Sequence, residues 1–75
     1  MGKLSNVSWN ELVKVLSLIG YAVDHQKGSH LILIKQGFGR TVVPKRDSLP
    51  KGTLRAILRQ TGFSVEDFLN LLEKV

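Results

Sequence analysis

The stretch Tyr21-Ala22-Val23-Asp24-His25-Gln26-Lys27-Gly28-Ser29-His30-Leu31-Ile32-Leu33-Ile34-Lys35 decides how this chain folds. Lys27-Gly28 separates two strand-forming segments, 21–26 and 29–35, and the glycine supplies the positive φ that a tight hairpin needs. With Lys27-Gly28 as the loop, His25 pairs with His30, Val23 with Ile32 and Tyr21 with Ile34. All six side chains then share one sheet face, because successive side chains alternate between faces. A three-residue loop would separate the histidines. Gln36-Gly37-Phe38-Gly39 reads as a second turn, and Arg40-Thr41-Val42-Val43 as a third strand ending at Pro44. The three strands make an antiparallel meander.

Upstream, Ser8 followed three positions later by Glu11 is a capping box, and Val7 with Leu12 is a hydrophobic staple. Trp9, Leu12, Val13, Leu16 and Ile19 recur at helical spacing, which predicts a helix over 8–19 stopped by Gly20, with Leu18 on its exposed side. Downstream, Lys45 to Leu49 is a polar connection, and Pro50 suits the first turn of a helix. Leu54, Ile57, Leu58 and Thr61 form its apolar face, Lys51, Arg55 and Arg59 a basic line, and Gly62 its end. Ser64 with Asp67 caps a last helix. Phe63 and Phe68 are its staple, and Leu69, Leu71, Leu72 and Val75 are its residues to bury. The order α-β-β-β-α-α is an α+β domain, a three-stranded antiparallel sheet with helices on one face.

The 75 residues, without cysteine, are enough for one small domain over 1–75. No apolar run approaches the ~20 residues of a membrane span, and Met1-Gly2-Lys3-Leu4-Ser5-Asn6 does not begin an apolar signal region. A cytoplasmic protein is expected. The net charge is +5, and it is unevenly spread. Between His25 and Gln60 lie Lys27, Lys35, Arg40, Lys45, Arg46, Lys51, Arg55 and Arg59, against Asp47 alone, a local charge of +7. That concentration is the footprint of a polyanion-binding surface, although a solvated basic face would have the same composition.

Most catalytic templates are missing. There is no cysteine nucleophile, no Walker-type glycine loop and no metal-spaced ligand cluster, so neither metal nor cofactor is expected. Asp24 beside His25 does not alter that reading, since adjacent strand residues face opposite ways. The histidines are the remaining candidates. Imidazole titrates near neutral pH and can take the proton of a ribose 2′-hydroxyl, the nucleophile that RNA itself supplies. A histidine serving only in packing or capping is the alternative.

The segments Gln26-Lys27-Gly28-Ser29-His30, Val43-Pro44 and Pro50-Lys51-Gly52-Thr53-Leu54-Arg55-Ala56-Ile57-Leu58-Arg59-Gln60 resemble the HicA (YcfA-like) toxin family. The resemblance runs from Trp9 to about Phe68 and rests on two signatures at the expected separation, Gly-Ser-His and Gly-Thr-Leu-Arg-x-Ile-Leu. It implies a double-stranded-RNA-binding-like fold, cleavage of mRNA, a HicB-like antitoxin as partner, and His30 as the catalytic residue. Lys27, Gly28 and Ser29, with the basic residues Lys45, Arg46, Lys51, Arg55 and Arg59, are the candidate RNA contacts. Gly52 and Thr53 sit where amides and a hydroxyl can meet an anion, though capping alone also explains Thr53. His25 stands where such sequences often carry arginine, so an auxiliary catalytic role, a phosphate contact and no role at all stay open. The last helix is less clearly shared. A non-catalytic RNA-binding module and a basic protein-interaction module are the rival functions.

Overall fold

The computed structural model describes residues 4–75; Met1 to Lys3, which begin the stretch read above for a signal region, lie outside the described residues. Helix α1 spans Trp9–Leu18, strands β1, β2 and β3 span Ala22–Lys27, His30–Lys35 and Gly39–Pro44, and helices α2 and α3 span Lys51–Thr61 and Val65–Leu72. The strands form one antiparallel sheet in the order β1-β2-β3. This is the α+β architecture read from the sequence.

The local signals operate as expected at most helix ends. The Ser8 hydroxyl accepts from the Glu11 amide at 3.1 Å, and the Ser8 amide donates back to the Glu11 carboxylate at 3.0 Å, so two otherwise orphan donors of α1 are satisfied together. Val7 and Leu12, the staple pair, are both buried. Ser64 caps α3 by accepting from the Asp67 amide at 3.0 Å. Gly62 ends α2 at φ 80°, a left-handed turn that glycine adopts without a Cβ clash. Pro50 departs from its expected place: it is the N-cap of α2 rather than a residue of the first turn, and no side chain caps that helix. Thr53 therefore does not serve as a cap.

Leu31 and Leu33 of β2 and Val43 of β3 face the helices. They pack with Leu12, Val15 and Leu16 of α1, Leu54, Ile57 and Leu58 of α2, and Phe68 of α3. Val15 is fully buried although it lies beside the predicted apolar stripe, while Trp9, Val13 and Ile19 of that stripe are only partly covered. Of the residues expected to bury α3, Leu69, Leu71 and Leu72 are half-buried and Val75 is exposed. Thr41 is the polar residue in this layer, and its hydroxyl donates to the Gln60 side-chain carbonyl at 2.9 Å.

The hairpin register differs from the expected one. Its turn residues are Gly28 and Ser29, and the pairs are Lys27↔His30, Gln26↔Leu31 and His25↔Ile32. His25 therefore does not pair with His30, nor Val23 with Ile32, nor Tyr21 with Ile34. A β-bulge between Val23 and His25 then shifts the ladder, giving Val23↔Leu33 and Ala22↔Ile34. Asp24 is the extra residue. One inserted residue exchanges the faces of everything before it, so Tyr21 turns inward and is buried. His25 and Lys27 keep the outer face. That face carries His25 and Lys27 of β1, His30, Ile32 and Ile34 of β2, and Arg40 and Val42 of β3.

Candidate active site

The site is built around the β1–β2 turn. Gly28 has φ 60° and Ser29 is not in the positive-φ region, which matches a type II′ turn with glycine at its first central position. The Gln26 side-chain amide donates to the Gly28 carbonyl at 2.9 Å. On the other side, the Lys45 amide donates to the Ser29 carbonyl at 2.8 Å and carries the β2–β3 ladder one step past His30↔Pro44. The turn is thus tied at both flanks, and His30 follows it directly as the first residue of β2.

A shallow depression of about 520 Å³ opens on the outer sheet face, lined by His25, Lys27, Gly28, His30, Ile32, Arg40 and Val42. Ile32 is buried beneath it although it lies outside the main core cluster. Both histidines are exposed and therefore reachable by a bulky ligand. Lys27 and Arg40 bring two fixed positive charges to the same concavity, one from each outer strand. The His25 Nδ1 lies 2.7 Å from an Asp24 carboxylate oxygen. Such a contact between neighbours is unusual in a regular strand, where they face opposite ways; here the bulge makes it. Among the described residues, no group of three or more His, Cys, Asp or Glu side chains is placed to hold a metal ion.

The other sequence-derived candidates lie apart from this concavity. Ser29 presents its backbone to Lys45 and does not line the depression. The Lys45 ammonium stands 4.9 Å from the centroid of the Trp9 ring, and the Arg46 carbonyl accepts from the Trp9 amide at 3.0 Å. Those two basic residues border α1. Lys51, Arg55 and Arg59 are exposed on α2. A second depression, about 440 Å³, runs between β3 and α2 and is lined by Arg40, Thr41, Val42, Thr53, Ala56, Ile57 and Gln60. At 100° per residue, the basic line lies roughly a third of a turn around α2 from Thr53, Ala56 and Gln60. The structure brings His25, Lys27, Gly28 and His30 together, and leaves the basic line of α2 on a separate surface.

Arg40 was missed as a site residue, as were Ile32 and Val42. Arg40 pairs with Ile34, so strand alternation carried from His30 across the second turn was the signal that could have placed it. Arg40 lines both depressions and is the charged residue they share.

The family model described as the HicA toxin of bacterial toxin–antitoxin matches residues 9–63, from the first residue of α1 past the end of α2. This chain belongs to the HicA toxin family. No individual curated protein matches it. As a HicA-family chain it is the toxin of a toxin–antitoxin pair, and an antitoxin is its partner. The matched span holds the whole sheet, the turn with His30 and the basic helix, and stops before α3. In this HicA chain α3 is nonetheless part of the core, since Phe68 is fully buried. Among the described residues, no helix is long and apolar enough to cross a membrane.

Proposed function

We propose that this HicA-family toxin is a metal-independent endoribonuclease that cleaves mRNA in the cytoplasm, with His30 as its general acid–base group. The observation that carries this reading is the placement of an exposed imidazole directly across the ladder from Lys27, in a concavity that also holds Arg40. His30 takes the proton of the ribose 2′-hydroxyl, and the 2′-oxygen attacks the adjacent phosphorus. The bond from phosphorus to the 5′-oxygen then breaks and that oxygen takes up a proton, leaving a 2′,3′-cyclic phosphate and a 5′-hydroxyl. Lys27 and Arg40 face the negative charge that grows on the phosphoryl oxygens. Nucleophile and countercharge are thus both accounted for by RNA and side chains.

Gly28 and Ser29 let the backbone of the turn approach the RNA, and Lys45, Arg46, Lys51, Arg55 and Arg59 hold flanking phosphates. A HicB-like antitoxin neutralises the toxin by covering the depression and the basic surface. The test is cleavage of an end-labelled RNA by purified toxin in the presence of a chelator, with analysis of the product ends. Loss of activity in His30→Ala and cyclic phosphate ends support the reading. Cutting by His30→Ala at the wild-type rate would refute it.

The separation of Lys51, Arg55 and Arg59 from the histidines favours a second reading, a non-catalytic RNA-binding module. Such a module reads duplex shape and backbone and would keep its full affinity and biological effect without His30.

A further inference from the structure

We propose that Asp24 and His25 form a second acid–base unit, in which Asp24 orients His25 and His25 delivers a proton to the leaving 5′-oxygen. This inference rests on the ribonuclease reading above. It starts from the bulge, which places the carboxylate of Asp24 and the ring of His25 within 2.7 Å although they are neighbours in one strand. A carboxylate accepts and does not donate, so the hydrogen of that bond belongs to Nδ1. The ring is thereby held in one orientation, and Nε2 is the nitrogen left free of Asp24. Only about half of either side chain is covered, so a substrate can reach the imidazole.

The register gives the spacing. His25 stands opposite Ile32, and Lys27 opposite His30, which makes His25 and His30 diagonal neighbours on one face. Diagonal neighbours across an antiparallel pair lie about 7–8 Å apart. An in-line displacement at phosphorus needs its base and its acid on opposite sides of the phosphate, and that spacing leaves room for the group between them. His30 accepts the proton from the 2′-hydroxyl as the new bond to phosphorus forms. His25, as imidazolium, gives its Nε2 proton to the 5′-oxygen as the old bond breaks. One proton is taken and one is given, so the site's net protonation is unchanged. The charged groups around His25 are Asp24 on its own strand, Lys27 and His30 at the turn, and Arg40 on β3. Asp24 is the carboxylate paired with it. The edge position of β1 accommodates this, since an edge strand tolerates a bulge without disrupting a second ladder.

The experiment compares two RNAs, one ordinary and one with sulfur replacing the 5′-bridging oxygen at the cleaved bond. A thiolate leaves without protonation, so the sulfur substrate makes a general acid unnecessary. His25→Ala and the shape-preserving His25→Gln should lose about 10²-fold or more on ordinary RNA and cut the sulfur substrate near the wild-type rate. Asp24→Asn, which keeps the shape but weakens the orienting bond, should show a smaller loss that sulfur also restores. His30→Ala should fail on both. Equal impairment of the His25 variants on both substrates would overturn the acid assignment, as would full activity on ordinary RNA. Wild-type protein that cleaves neither substrate would overturn the ribonuclease reading itself. Active wild type, inactive His30→Ala and unaffected His25 variants would overturn this proposal alone.

Discussion

Lys27 stands directly opposite His30 on the β1–β2 ladder, with only Gly28 and Ser29 between them in sequence. Opposed Cβ atoms in such a pair are about 4.5–5.5 Å apart, so one phosphate can be within reach of both. In His30→Ala, cleavage should fall by ~10²–10⁴. Stability should change by about 0.5 kcal/mol or less, because the ring is exposed. Activity and thermal unfolding measured on the same sample separate the two effects. A His30→Ala protein that unfolds would assign the residue to packing instead.

Gly28 holds the turn at φ 60°, and a Cβ there would meet nothing within 4 Å. Any penalty for a side chain is therefore conformational and not steric crowding. Gly28→Ala should destabilise by about 1–3 kcal/mol, the cost of holding an L-residue at the positive φ of a type II′ turn, with Gly28→Asn less affected because asparagine is better tolerated in primed turns. Denaturant midpoints of the two variants check the ranking. Equal and negligible shifts would show that the turn can relax.

Lys51 is the first residue of α2, in a helix with no acidic residue in its first turn and no side-chain cap. A cation there opposes the helix dipole, so its presence does not serve helix stability. Lys51→Glu should stabilise the fold by about 0.5–1 kcal/mol. If the helix holds RNA, the same change should weaken binding and reduce its salt dependence by about one contact. Thermal unfolding and a salt series of RNA titrations give the two readouts. A higher melting temperature with an unchanged salt slope would remove α2 from the RNA surface.

Leu33 is fully buried at the centre of the middle strand, while Phe38 at the second turn is 73% exposed. Leu33→Ala should cost about 2–5 kcal/mol, a large share of the 5–15 kcal/mol typical of a whole domain. Phe38 contacts the Lys35 ammonium, which lies 4.1 Å from its ring centroid. Phe38→Ala should nevertheless cost no more than about 1 kcal/mol, the worth of an exposed cation–π contact. Equilibrium unfolding of both variants tests the contrast.

Antitoxin binding should protect Lys27 and His30 from chemical modification, and should speed up at low salt if acidic residues meet the basic surface. Modification with and without the antitoxin, followed by mass spectrometry, measures this. If both residues stay equally reactive in the complex, neutralisation does not work by covering the depression.

Much of this protein was legible without coordinates because the signals were local. A capping box at Ser8 and Glu11, a glycine after Thr61, and a serine before α3 each act within one helical turn. Such contacts fix where elements begin and end whatever surrounds them. A glycine turn between the first two strands was legible too, but its loop was read as Lys27-Gly28 where the structure has Gly28-Ser29. Val15 was passed over because helical spacing defines a stripe, whereas the extent of burial depends on what packs against it. α1 has partners on both α3 and β3, so its covered surface is broader than one stripe.

The sequence by itself determined the order of the elements, the caps at Ser8, Gly62 and Ser64, and the chemical groups available near Gly28. Tertiary structure decided which of those groups meet. A strand's register depends on cross-strand pairing and on which face finds a core, and neither is encoded within the strand alone. Burying Tyr21 while keeping His25 and Lys27 on the outer face requires one extra residue, and the bulge at Asp24 supplies it. The same packing brings Arg40 to the histidines across the sheet. The basic line of α2 sits elsewhere because the burial of Leu54, Ile57 and Leu58 fixes how that helix is rotated.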